Sequence, residues 1–126
     1  MMQVYDICPL PKPRMTVRDK WKQRPPVMRY RAFCDEVRLR GVTLPVCCSH
    51  VTFVMPMPAS WSKKKRAAHA GQPHQQKPDA DNLLKALMDA IYHDDCAVWD
   101  VRVTKLWGEA GSITITEQSE EATCLN

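Results

Sequence analysis

Lys77-Pro78-Asp79-Ala80-Asp81-Asn82-Leu83-Leu84-Lys85-Ala86-Leu87-Met88-Asp89-Ala90-Ile91-Tyr92 carries the clearest structural signal in the chain. At 100° per residue, Leu83, Leu84, Leu87, Met88 and Ile91 share one arc, and Asp81, Lys85 and Asp89 another. The spacing predicts a helix over Asp81–Tyr92 with an apolar face turned to a core. On either side the period changes from helical to alternating. Upstream, Val51, Phe53 and Met55 alternate with His50, Thr52 and Val54, the mark of a strand over Val46–Met55. Downstream, Ala97–Trp107 with Val101 and Val103 reads as a strand, Gly108–Gly111 as a turn, and Ser112–Thr116 as a second strand, together a hairpin. This order predicts an α+β fold: one small domain, a mixed sheet of about four strands packed against two main helices.

The N-terminal half supplies the remaining elements. Val4–Cys8 is a short apolar run that reads as a strand, and Pro9, Pro11 and Pro13 then forbid regular structure by fixing φ and removing donors. A helix is expected from Pro25–Pro26, where proline suits the first turn, to Gly41, a left-handed cap. Met28, Phe33 and Val37 would line its inner side, leaving Arg29, Arg31, Arg38 and Arg40 to solvent. Met57–Lys77 reads as a long loop with a helical turn within Ser60–Ala70, and Gln118–Asn126 as an acidic, frayed tail. Trp99 and Trp107 are expected in the core, as part of the strand they share.

Charge divides the chain in two. Residues 1–78 hold 15 basic and 4 acidic side chains, a balance of +11, whereas residues 79–126 hold 3 basic and 10 acidic, a balance of −7. The formal total of +4 conceals that asymmetry, which points to an acidic partner for the first part. The start Met1-Met2-Gln3-Val4 lacks the basic and apolar regions of a signal peptide, and the uncharged stretch Gly41–Ser62 is broken by Pro45, Pro56 and Pro58. No membrane association is expected, and the cytoplasm is the expected compartment. The cysteines Cys8, Cys34, Cys47, Cys48, Cys96 and Cys124 show no Cys-x-x-Cys spacing, so they read as reduced packing thiols rather than zinc ligands. With only 4 glycines and no Gly-rich loop, a nucleotide cofactor is not expected.

Asp79 and Asp81, one residue apart at the predicted helix start, allow two readings. Either could cap the helix by accepting orphan backbone N–H groups, and Asp81, Lys85 and Asp89 at four-residue spacing could form a solvated ion-pair ladder. Asp94-Asp95 follows the helix, about 18 Å away along its axis at 1.5 Å per residue. If the following segment folds back, the clustered carboxylates require a hard cation. Mg²⁺ or Mn²⁺, which keep waters and accept phosphate oxygens, suit such a ligand set. Metal-dependent phosphodiester hydrolysis is the chemistry consistent with that cluster.

The run from Lys77 to Ala90, followed by Asp94-Asp95-Cys96-Ala97-Val98, resembles the RusA family of Holliday junction resolvases, whose signature is Asp-x-Asp-Asn-Leu-x-Lys-x-x-x-Asp and then Asp-Asp before a strand. The Pro-rich basic segment and Trp61–Arg66 are closer to phage-borne members, which would place the protein in a bacterial host cell. The resemblance implies a homodimeric, Mg²⁺-dependent endonuclease that makes two symmetric nicks in four-way DNA. It implies metal-binding roles for Asp79, Asp81 and Asp95, a catalytic role for Lys85, and supporting roles for Asn82, Asp89 and Asp94.

Basic residues near this motif are the expected grip on DNA phosphates: Lys63, Lys64, Lys65, Arg66 and Lys77, with Lys12 and Arg14 from the Pro-rich segment. Trp21 and Trp61, each beside lysines, are candidates for stacking on unpaired bases and equally for packing. A different class of function remains open to the same residues: a non-catalytic, basic DNA-binding accessory protein of recombination or replication.

Overall fold

A computed structural model describes residues 2–14, 24–92 and 95–117, and of residue 95 the backbone alone. The order of elements is β1 (Met2–Tyr5), α1 (Pro25–Leu39), β2 (Ser49–Pro56), α2 (Lys63–His69), α3 (Ala80–Ile91), a 3₁₀ turn (Asp95–Ala97), β3 (Val101–Gly108) and β4 (Ser112–Glu117). The α+β class and the four-stranded mixed sheet agree with expectation, with three helices where two main ones and a helical turn were expected. Trp21, His93, Asp94 and the tail 118–126 lie outside the described residues.

Strand order is β1-β4-β2-β3, with β2 parallel to β3 and antiparallel to β4. The expected β3–β4 hairpin is therefore wrong: β2 lies between the two strands. The reason lies in β2 itself. Val51, Phe53 and Met55 are all buried, so β2 takes the central place and needs a ladder on each edge. The helical crossover from β2 through α3 delivers β3 parallel to it. Glu109–Gly111 then steps across the end of β2, a span of about 10 Å for two strand spacings. At Gly108 a Cβ would lie 2.3 Å from Val54 Cγ1, so the chain passes β2 only because no side chain is there. The outer edge of β3 is covered by residues 71–74, where Trp107 N donates to Gln72 O at 2.9 Å and His74 N to Lys105 O at 3.0 Å.

α1 begins with Pro25–Pro26 as expected, and Gly41 follows it with φ +63°. Its buried face is Val27, Tyr30, Phe33, Cys34 and Val37. Met28, placed inside by the sequence reading, is 43% exposed. Spacings of three, three, one and three from Val27 describe a narrower stripe, which turns Met28 outward. α3 buries Leu83, Ala86, Leu87 and Ala90, with Leu84, Met88 and Ile91 at its margin. The two helices meet the inner face of the sheet in one core with Val51, Phe53, Ile113, Ile115 and Trp107. β1 starts two residues earlier than expected. Ile7, beyond its end, is buried, and Pro9 follows.

Trp99 is a further correction. It precedes β3 rather than belonging to it, its N–H donates to Val46 O at 2.9 Å, and its ring is 69% exposed. Cys34 is a buried thiol as expected, whereas Cys47 and Cys48 are joined to each other in a disulfide and Cys8 and Cys96 are exposed. No described helix is long and apolar enough to cross a membrane.

Candidate nuclease site

Asp79 occupies the N-cap position of α3, with extended φ −69° and ψ 149°, and its carbonyl accepts from Leu83 N at 3.1 Å. Its carboxylate makes no capping hydrogen bond. A cap aspartate ordinarily accepts from the second or third helical N–H. Here the backbone has cap geometry while the side chain is exposed and makes no cap bond. Asp81 stands in the first turn, also exposed. Hydrogen-bond capping therefore does not account for Asp79.

The segment leading into the helix is fixed from below. Lys105 of β3 donates from Nζ to the carbonyl oxygens of Gln76 and Pro78, both at 2.6 Å, and the Lys77–Pro78 peptide is cis. In front of it lies an open groove of about 480 Å³ lined by Pro11, Lys77, Pro78, Asp79 and Asn82. One acid, one base and one amide thus share a concave surface, with the Pro-rich arm as its far wall. Lys105 was not foreseen. A lysine on a strand gives no sequence sign that it will turn toward a loop nearly thirty residues earlier.

One turn and two turns along α3 from Asp81 stand Lys85 and Asp89. Lys85 Nζ lies 3.7 Å from Asp89 Oδ1, while Lys12 Nζ from the arm lies 2.6 Å from Asp89 Oδ2. Asp89 also lines a smaller cavity of about 210 Å³ with Tyr30, Arg31, Cys34, Asp35 and Arg38. Burial, then the Cys34 thiol and the Asp89 charge, push the Tyr30 phenol well above its ordinary value, so it stays neutral.

The twelve residues of α3 separate this end from the 95–97 turn. At 1.5 Å per residue the helix spans about 18 Å. Among the described residues no group of three or more His, Cys, Asp or Glu is placed to hold a metal. The Asp95 side chain and all of Asp94 lie outside the described residues. The donor set nonetheless suits a hard cation. Asp79 and Asp81 offer carboxylate oxygens at one helix end, exposed and beside a lysine, where phosphate oxygens and water would complete a shell.

The expected DNA contacts fall into two groups. Lys63 and Lys64 are exposed on α2, which Ser62 caps by accepting from Lys65 N at 3.2 Å. Lys77 is exposed at the groove, and Arg14 is exposed with its carbonyl accepting from Arg24 at 3.0 Å. Three others have partners within the chain. Lys12 pairs with Asp89, Arg66 donates to Pro58 O at 2.7 Å and reaches Glu109 at 3.3 Å, and Lys65 Nζ lies 4.4 Å from the centre of the Trp61 ring. Trp61 itself stacks against Trp107 at 4.8 Å and His69 at 4.7 Å, and His74 continues the row on Trp107 at 4.2 Å. These rings fasten α2 to the edge of β3. His74 is buried with Nδ1 unpartnered; burial, then the Lys105 ammonium, hold it below the ordinary histidine value.

Residues 6–117 match the sequence profile of the RusA endodeoxyribonucleases. The chain belongs to the RusA endodeoxyribonuclease family. The match spans the arm, both main helices and all of β2, β3 and β4, so it covers the fold as well as the acidic motif. A comparison with curated protein sequences found no match. Membership in a DNA endonuclease family agrees with an open groove lined by an acid, a lysine and an amide.

Proposed function

We propose that this protein is a Mg²⁺-dependent, structure-selective endonuclease that resolves four-way DNA junctions by paired symmetric nicks, acting as a homodimer. The observation that carries this reading is the Asp79 carboxylate, which sits at a helix cap without capping it. Family membership supplies the class of substrate. Asp79 and Asp81, with Asp95, would hold the cation, for which Mn²⁺ is a chemical substitute. When bound, such an ion stabilises charge on a phosphoryl group and activates water as the nucleophile.

The chain's own residues perform the remaining tasks. Lys85, one turn from Asp81, donates to a non-bridging phosphate oxygen and stabilises the negative charge that grows in the transition state. Lys77 and Asn82 offer N–H donors across the groove and orient the phosphate between its walls. Lys63 and Lys64, with Arg14, contact flanking phosphates, which fix register without reading sequence. Because the twelve residues of α3 lie in the chain between Asp79 and the 95–97 turn, we assign Asp95 at each site to the partner protomer. A dimer then carries two equivalent sites for two opposed strands. Cleavage of branched intermediates in the cytoplasm of a bacterial host, for recombination and repair, is the corresponding cellular role.

The test is incubation of the protein with a synthetic four-way junction and with linear duplex of the same sequence, with Mg²⁺ and with EDTA. Paired nicks in the junction alone, abolished by EDTA, are expected. Binding of the junction without cleavage in Mg²⁺ or Mn²⁺ would mean a DNA-binding accessory protein instead.

A further inference from the structure

Trp61, which the sequence offers for base stacking, is packed against Trp107 and His69, with the Lys65 ammonium 4.4 Å from its ring centre. A base reaches that ring only by displacing these partners. Trp99 is the reverse case. Tryptophan is highly buried on average, yet Trp99 is 69% exposed. Its backbone is nevertheless fixed: its N–H donates to Val46 O at 2.9 Å, and β3 begins two residues later. A large flat side chain is thus held out to solvent on a pinned segment of chain.

Position ties Trp99 to the site. It follows Asp95 by four residues, at most about 14 Å of chain, and the 3₁₀ turn at Asp95–Ala97 shortens that reach. With Asp95 a cation ligand, Trp99 stands within a few nucleotides of the scissile phosphate, at about 3.4 Å per stacked base along a strand. Charge narrows the contact further. Residues 95–101 contain no Lys or Arg, and Asp100 beside Trp99 is exposed. Such a segment has no cation with which to grip a phosphate, whereas a neutral ring accepts the π-face of any base. A protein partner is the poorer fit. Val46, bonded to Trp99 through the backbone, is also exposed, but the other exposed large apolar side chains among the described residues, Met2, Val4, Met28 and Leu39, belong to β1 and α1. Two side chains are small beside the roughly 800 Å² that each partner gives to a stable interface. One indole covers one base.

We infer that Trp99 stacks on an unpaired nucleobase at the branch point, close to the phosphate to be cut, and so favours branched over linear DNA. A linear duplex offers no such base, because its bases are paired and stacked on one another. This rests on the proposed function, which puts Asp95 in the site.

The test compares the wild type with Trp99→Phe, Trp99→Leu and Trp99→Ala, all at an exposed position where substitution leaves the fold in place. Each is titrated with a synthetic four-way junction and with linear duplex of the same sequence, in EDTA, so that binding is read without cleavage. Trp99→Ala and Trp99→Leu bind the junction about tenfold more weakly, the scale of one stacked base, and the duplex as before. Trp99→Phe keeps most of the affinity. Leucine restores an apolar contact without a flat ring, so a Trp99→Leu chain that binds like the wild type overturns the proposal. Junction affinity unchanged in Trp99→Ala, or lost equally for duplex, also overturns it. So does a smaller sedimentation coefficient for Trp99→Ala, which places the side chain between protomers. A second readout locates the base. 5-Iododeoxyuridine at the branch point crosslinks to Trp99 on irradiation, mapped by mass spectrometry, and crosslinking to other residues alone overturns the proposal. The two readings fail separately. Stacking with no Mg²⁺-dependent nicking by the wild type refutes the nuclease, and nicking with unaltered junction binding by Trp99→Ala refutes the stacking.

Discussion

Lys105 Nζ and the carbonyl oxygen of Pro78 are 2.6 Å apart, and that bond ties the edge strand β3 to the residue that precedes Asp79. With its second bond to Gln76 O, Lys105 holds the approach to α3 at the point where the acidic pair leaves the loop. Lys105→Met removes both hydrogen bonds and leaves the sheet intact. A loss of about 10- to 100-fold in cleavage rate is expected, of the size seen when groups supporting metal ligands are removed. Steady-state cleavage beside an unchanged denaturation midpoint checks it.

The helix and its acidic motif were legible because a 3.6-residue apolar period and fixed acid spacing are local properties. Leu83 and Leu87 announced the buried face of α3, and Val51 and Phe53 that of β2. Strand pairing was not legible in the same way. β3 and β4 are separated by a turn that favours a hairpin, yet β2 enters between them because its burial demands two neighbours. Trp99 followed the same logic in reverse: its place in an expected strand suggested a core position, and the chain entering β3 left it outside. At the groove, the lining residues Lys77, Asp79 and Asn82 were readable as neighbours because they fall in one short motif. Lys105 and the pairing of Lys12 with Asp89 depend on long-range folding and carry no local signal.

Trp99, just before β3, and Trp107, within it, separate burial from composition. Trp107 is 6% exposed and lies between Trp61 and His74, whereas Trp99 is 69% exposed. Trp107→Ala is expected to cost about 3–5 kcal/mol and Trp99→Ala no more than about 0.5 kcal/mol. Urea denaturation of both variants gives the comparison.

His74 predicts a dependence of stability on pH. Its folded value lies below the ordinary 6.5, so as the pH falls through that range the unfolded chain binds the proton first. Stability conferred by the neutral ring is present above 6.5 and is lost progressively below it. Denaturation midpoints at pH 7.5 and 5.5 should differ more for the wild type than for His74→Phe, which keeps a ring on Trp107 and cannot titrate.

A shared site predicts complementation between inactive chains. Asp81→Asn and Asp95→Asn are each expected to be inactive alone. Mixed and allowed to exchange subunits, they form heterodimers in which one site has both defects and the other has none. Single-strand nicks should then reappear. If Asp95 served its own protomer's Asp81, every site in the mixture would carry one defect and no nicking would return.

On the proposed function, Asp79 and Asp81 are working carboxylates and not helix caps. The most direct measurement is cleavage and binding of one synthetic four-way junction, in Mg²⁺, by Asp81→Asn beside the wild type. The predicted result is loss of nicking with junction affinity retained, because the substitution removes a charge at an exposed position and leaves the fold untouched. Undiminished nicking by Asp81→Asn would mean that the acidic pair holds no catalytic cation.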